Sequence, residues 1–176
     1  EIVKDLHVLR AIAQDSWEGE DTKRSMCTVL ANLTFLQASR STLAQLGAVG
    51  SLKNYAKLDD NDTRQRCAMA FCNLSCEAAI RGKMVEDGVV EVLGALSNSY
   101  SEENQQDCAK ALCNLSCHPG AEVQIVEEGA VGALMMIAMV RSVSPLTKDT
   151  CAKTLLNLLT PASLELMVDK GLVQAL

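Results

Sequence analysis

Two short motifs return along the chain at nearly constant spacing. An Asn-Leu dipeptide recurs with spacings of 41, 41 and 43 residues, and a Gly-x-Val tripeptide with spacings of 41, 41 and 42. Residues 47–87 and 88–128 align without gaps and are identical at 14 of 41 positions. Such a period predicts stacked copies of one structural unit. The motifs begin at Asn32, Asn73, Asn114 and Asn157, and at Gly47, Gly88, Gly129 and Gly171.

The residue pattern of each unit predicts three helices. The first ends at the recurring glycine, which would supply a left-handed C-cap. The second begins with an apolar pair at i, i+3, as in Val49 and Leu52. The third is the longest, and its starts carry N-cap signals, as in Ser144 followed by Pro145.

The third helix has an apolar face that one unit is too small to bury. In the second unit this face consists of Cys67, Ala68, Phe71, Cys72 and Leu74. Stacking against neighbouring units would bury it, so the sequence predicts an all-α solenoid. We expect one array over residues 1–176, with units at about 6–46, 47–87, 88–128 and 129–170 and a further unit starting at 171. The chain opens inside a unit and without Met, so we expect a fragment of a longer array.

Composition and charge exclude several classes of function. Lys and Arg total 16 and Asp and Glu total 22, so the net charge is 16 − 22 = −6. This balance argues against nucleic acid as the main partner, because phosphate binding needs a surplus of cations. The longest apolar run, 130–140, is too short for a membrane span, which needs ~20 residues.

The repeated third helix resembles that of armadillo repeats. The resemblance rests on Cys-Ala-Met-Ala-Phe-Cys-Asn-Leu-Ser at 67–75, its counterpart at 108–116, and Val-Glu-Glu-Gly-Ala-Val at 126–131. It covers essentially the whole chain. It implies a right-handed superhelix whose third helices line a concave groove. In that family the groove, led by the Asn-Leu asparagine, commonly holds an extended peptide of another protein.

One departure bears on the ligand. Nuclear-import adaptors of this family carry Trp four residues before the asparagine, where this chain has Thr28, Met69, Lys110 and Lys153. The single tryptophan, Trp17, lies elsewhere. The sequence therefore disfavours a nuclear-import adaptor.

The recurring asparagines have two interpretations, which are not exclusive. An amide both donates and accepts, so it could clamp the backbone of an extended peptide. Alternatively, each asparagine bonds a neighbouring part of the repeat. The residues eight and four positions before each asparagine share a helix face with it. The predicted groove residues are Asn32, Asn73, Asn114, Asn157, Lys110, Lys153, Gln65 and Gln106, together with Arg24 and Asp149 in the same stripe.

Lys110 and Lys153 occupy the same phase in adjacent units. One interpretation is that these lysines favour an acidic segment in the ligand. The other is that they are only a solvated pair of charges. The Asn-Leu-Ser/Thr triplets also match the N-glycosylation pattern, which we interpret as coincidental inside helices.

The eight cysteines favour burial over metal binding. Cys72 with Cys76 and Cys113 with Cys117 are i, i+4 pairs that resemble half a metal site, but the chain has no Cys-x-x-Cys pair. The cysteines instead recur with the structural period, as small apolar residues would. We expect free thiols in a reducing compartment and no disulfide between equivalent positions, whose helices lie ~8–10 Å apart.

These features predict a non-enzymatic scaffold or adaptor that binds other proteins through the groove. We expect no catalytic residue, metal, cofactor or small-molecule substrate, and a cytoplasmic location, with the cytoskeleton, cilium or nucleus left open. Two alternatives remain: a regulatory segment of a larger enzyme such as a ubiquitin ligase, and a structural component of a cytoskeletal or ciliary assembly.

Overall fold

The protein is a stack of helices. A computed structural model describes residues 6–14, 17–98 and 101–172, and that part of the chain contains twelve helices and no strand. In chain order they are α1 (Leu6–Ala13), α2 (Glu20–Thr34), α3 (Gln37–Gln45), α4 (Ala48–Tyr55), α5 (Asn61–Ser75), α6 (Ala78–Glu86), α7 (Val89–Ser97), α8 (Glu102–Ser116), α9 (Glu122–Glu127), α10 (Ala130–Met139), α11 (Pro145–Leu158) and α12 (Leu164–Asp169).

The helices repeat in threes, which confirms the predicted all-α solenoid. The first helices of the units are α3, α6, α9 and α12, and the second helices are α1, α4, α7 and α10. The third helices, α2, α5, α8 and α11, pack side by side in chain order. The further unit expected from 171 falls mostly on residues 173–176, which lie outside the described residues.

The recurring glycine joins each first helix to the second helix that follows it in the chain. Gly47, Gly88 and Gly129 have φ values of 101°, 71° and 94°, in the left-handed region. A side chain at such a φ would place Cβ too close to the following carbonyl oxygen. Each glycine follows the C-cap of one helix and is the N-cap of the next, so a single residue separates the two helices from each other.

Side-chain caps start three of the four third helices. Asp60 accepts from the Thr63 amide at 2.8 Å at the start of α5. Ser101 and Ser144 do the same for α8 and α11, and Pro145 occupies the first turn of α11. These caps satisfy amide groups that the helix itself leaves unpaired.

A continuous core runs between the stacked units. Cys67, Ala68, Phe71 and Leu74 of α5 are fully buried, as the apolar face predicted. Cys72, the remaining residue of the predicted face, is only half-buried. The stacking thus leaves one side of each third helix open to solvent, and the predicted groove residues lie on that side.

Candidate functional site

The exposed side of α2, α5, α8 and α11 forms a continuous surface, which we call the groove. It carries the four asparagines, of which Asn32 and Asn157 are exposed and Asn73 and Asn114 are half-buried. Because the third helices pack side by side, equivalent residues form rows across the stack.

A row of hydrogen bonds joins each asparagine to the preceding unit. Asn73 Nδ2 donates to Thr34 Oγ1 at 3.1 Å. The next unit repeats the bond from Asn114 Nδ2 to Ser75 Oγ at 3.0 Å. In the last unit Asn157 Nδ2 donates to Ser116 Oγ at 3.1 Å. We call these three bonds the amide–hydroxyl ladder.

The hydroxyl groups of the ladder are oriented by their own helices. Thr34 Oγ1 donates to the Ala31 carbonyl at 2.6 Å, and Ser75 Oγ donates to the Cys72 carbonyl at 2.7 Å. Ser116 repeats the arrangement in α8. Each hydroxyl proton is therefore committed to its helix, and the oxygen is left to accept from the asparagine.

The ladder uses only part of each amide. An amide offers two N–H donors and an acceptor oxygen. Within the described residues, the side-chain oxygen of Asn73, Asn114 or Asn157 accepts no hydrogen bond. Both interpretations of the asparagines are therefore compatible with the geometry: the amide ties two units together and keeps groups for a ligand.

Thr34, Ser75 and Ser116 are structural partners that the sequence analysis missed. Their signal was visible, since each lies two residues after a recurring asparagine. It was interpreted only as a coincidental glycosylation pattern. The last unit breaks the pattern, because Leu159 stands two residues after Asn157 and is 46% exposed.

A cavity of about 370 Å³ opens in the groove between α5 and α8. Gln65 and Gln106 both line it, and Gln65 Nε2 donates to Glu103 Oε2 at 2.6 Å. The remaining lining residues are Asp62, Arg66, Met69 and Asp107. Three carboxylates and one guanidinium make this part of the groove acidic.

Asp107 is a half-buried carboxylate of this cavity. Burial raises the pKa of Asp107, the nearby Lys110 lowers it, and Glu103 raises it further. The net direction is upward, because withdrawal from water disfavours the charged form. A cation placed in the cavity would oppose this shift.

The two predicted groove lysines differ in their surroundings. Lys153 Nζ forms an exposed ion pair with Asp149 Oδ2 at 2.7 Å, and this contact raises the pKa of Lys153. Lys110 is exposed and forms no ion pair with any residue that the structure describes. An acidic ligand would meet Lys110 directly but would compete with Asp149 for Lys153.

Two arginines outside the predicted groove residues donate hydrogen bonds to the C-terminal ends of third helices. Arg40 Nε donates to the Thr34 carbonyl and Arg81 Nε to the Ser75 carbonyl, both at 2.8 Å. Each arginine thus satisfies a carbonyl that its helix leaves unpaired. Arg40 also lies 3.5 Å from Glu77, which joins the first unit to the second.

All eight cysteines are free thiols, but they are not all buried. Cys76 and Cys117 are exposed, against the prediction of burial. Both directly follow the last residue of a third helix and reach the groove, where their sulfur atoms lie 3.7 Å from the ladder amides of Asn114 and Asn157. Burial raises the pKa of Cys72 to about 12.

A metal site or a membrane span would each need a further structural feature. Among residues 6–14, 17–98 and 101–172, no three His, Cys, Asp or Glu side chains are grouped as metal ligands would be. In the same ranges no helix is long and apolar enough to cross a bilayer.

Solved structures show which fold this is. The chain is similar to an engineered protein over 99% of its own length and 72% of that chain, with a TM-score of 0.77 and 19% identity. A second engineered protein gives a TM-score of 0.78 and 23% identity over 99% of this chain and 43% of that one. A designed armadillo repeat protein gives a TM-score of 0.75 and 17% identity over 95% and 71% of the two chains.

No protein-family model and no curated protein matches the sequence. The structural similarity extends over almost the whole chain, at identities that identify a fold alone. It agrees with the three-helix units, the glycine junctions and the stacked third helices described above. The chain has an armadillo-like repeat fold.

Proposed function

We propose that this protein is a non-enzymatic scaffold that binds an extended segment of a partner protein along the groove. The amide–hydroxyl ladder is the observation that carries the proposal. It fixes the asparagines in a row and leaves the side-chain oxygen of each free to accept from a peptide N–H.

The spacing of the row suits an extended chain. Packed helices lie ~8–10 Å apart, and an extended peptide rises ~3.3 Å per residue. One ladder amide would therefore meet the ligand about every two to three residues. A peptide bound in this way satisfies its backbone groups through the amides and gains specificity from the side chains between them.

The surfaces beside the ladder are chemically different along the groove. The cavity between α5 and α8 is acidic, whereas the side near the helix ends carries the thiols of Cys76 and Cys117. Lys110 lies between these two regions along α8. We infer that an acidic side chain of the ligand would bind near Lys110 and not deep in the cavity.

The free thiols also support a location. None of the eight cysteines forms a disulfide, which fits a reducing compartment. We infer that the protein is cytoplasmic.

The ladder provides a matched pair of variants for the test. The triple variant Asn73→Ala/Asn114→Ala/Asn157→Ala removes both the inter-unit bonds and the groove amides. The triple variant Thr34→Ala/Ser75→Ala/Ser116→Ala removes the same bonds and leaves the amides in place.

Each protein would be used as bait for partner capture and mass spectrometry, after its melting temperature has been measured. We expect specific partners to be lost with the asparagine variant. The hydroxyl variant should still capture them, in smaller amounts, because its amides remain but the ladder no longer holds them in place. If both variants keep the same partners, the groove is not the binding surface and the proposal is wrong.

A further inference from the structure

Two buried thiols are in contact at the interface between α2 and α5. Cys27 of α2 and Cys67 of α5 have their sulfur atoms 3.4 Å apart. Both side chains are fully buried. Cys27 Sγ also lies 3.7 Å from the Thr63 carbonyl and Cys67 Sγ lies 3.5 Å from the Leu52 carbonyl, so both sulfurs are held in place on two sides.

The contact arises because Cys27 stands out of the repeat phase. Cys67 lies six residues before its ladder asparagine, and Cys108 and Cys151 occupy the same position in their units. Cys27 lies five residues before Asn32. The other units have alanine there, at Ala68, Ala109 and Ala152.

The first interface therefore has a thiol where the others have a methyl group. In the part of the chain that the structure describes, no other two cysteine sulfurs form a hydrogen bond. The interfaces α5–α8 and α8–α11 also have cysteines on both helices, but among the described residues only α2 and α5 bring two sulfurs into direct contact.

We propose that Cys27 and Cys67 are a redox pair that hydrogen peroxide converts into a disulfide joining α2 to α5. In the first step one thiol, as thiolate, attacks peroxide, forms a sulfenic acid and releases one water. In the second step the other thiol attacks that sulfur, the S–S bond forms, and a second water leaves. The two sulfurs together lose two electrons, which reduce one peroxide to two waters.

Proximity selects this pair over the other thiols. A sulfenic acid on either sulfur meets its partner thiol 3.4 Å away, so the second step is intramolecular and favoured over reaction with a thiol in solution. The first step is slow, because the hydrogen bond to Cys27 and burial raise the pKa of Cys67. The pair would thus respond to sustained peroxide and remain reduced otherwise.

The test separates this pair from the two exposed thiols. A Cys76→Ser/Cys117→Ser background has 8 − 2 = 6 cysteines. After peroxide treatment and quenching, thiols would be counted in denaturant. We expect the count to fall from six to four, the mass to fall by about 2 Da, and dithiothreitol to restore both.

Cys27→Ala is the matched control, since it installs the residue of the other three units and should fold. In the same background it has five cysteines, and we expect all five to survive as thiols. Tryptic mapping gives a second measurement that needs no core substitution: oxidised protein should contain residues 25–40 linked to residues 67–81 through Cys27 and Cys67.

Four results would each overturn the proposal. Three are an unchanged thiol count in the background protein, a loss of two thiols that persists in Cys27→Ala, and a linked peptide that maps to other cysteines. Oxidation that ends at sulfinic acid on either sulfur gives no linked peptide and counts against it equally.

Discussion

A double-mutant cycle on Asn114 and Ser75 measures whether the amide–hydroxyl ladder stabilises the stack. The perturbations are Asn114→Ala, Ser75→Ala and the two together. The Nδ2–Oγ distance of 3.0 Å is that of a full hydrogen bond between neutral groups, worth about 1 kcal/mol net. Alanine forms helix more readily than asparagine by about 0.6 kcal/mol. We therefore expect Asn114→Ala to lower the free energy of unfolding by only about 0.4 kcal/mol.

The coupling energy of the cycle isolates the bond from this propensity effect, because the propensity gain appears in both branches. We expect about 1 kcal/mol of coupling, measured by urea unfolding followed by circular dichroism at 222 nm. Asn32→Ala is the control of opposite sign. Asn32 is exposed and its side chain makes no hydrogen bond within the described residues. The free energy of unfolding of this variant should therefore rise by about 0.6 kcal/mol.

A coupling below about 0.3 kcal/mol, the usual error of additivity, would refute the stabilising role of the ladder. An Asn32→Ala variant that loses stability would refute the helix-propensity argument in the same way. The two results are independent, because Asn32 and Asn114 lie two units apart.

Three further predictions follow from the glycine junctions, the exposed thiols and the groove lysine Lys110. Gly88→Ala should lower the melting temperature, because its φ of 71° costs a side chain about 1–2 kcal/mol, whereas Gly50→Ala, inside a helix with open space at its Cβ, should raise it. Thermal melts of both variants check this, and equal shifts would contradict it. Iodoacetamide should modify Cys76 and Cys117 before the other thiols in the native protein, because only these two cysteines are exposed. Peptide mapping over time measures the order of modification, and earlier labelling of any other cysteine would contradict the prediction. Lys110→Glu should weaken binding of the captured partner in low salt, and unchanged affinity by fluorescence anisotropy would show that Lys110 does not contact it.

The period of the sequence was enough to predict the architecture. The 41-residue spacing indicated the size of the unit, and Gly88 lies in the left-handed conformation that a junction between two helices requires. Caps and turns are local properties, since each depends on residues close in the chain. This is why the helix starts at Asp60 and Ser101 could also be predicted from the residues themselves.

Contacts between units were much harder to predict. Asn114 and Ser75 are 39 residues apart, and their separate recurrence does not show that they meet. Cys27 and Cys67 were harder still, because their contact depends on a cysteine that breaks the period. The exposure of Cys76 was missed because the recurrence of a small residue at one position does not tell whether that position faces the core or the groove.

The ladder determines which units of this chain can be duplicated without loss of a contact. A copy of residues 47–87 or 88–128 would contain an asparagine to donate backward and a serine to accept from the unit that follows. Such a copy, inserted beside its parent, would join on both sides. A copy of residues 129–170 would donate backward through its asparagine, but Leu159 would offer the next unit no hydroxyl oxygen. Growth of the array by duplication is therefore favoured from its middle and disfavoured from its fourth unit.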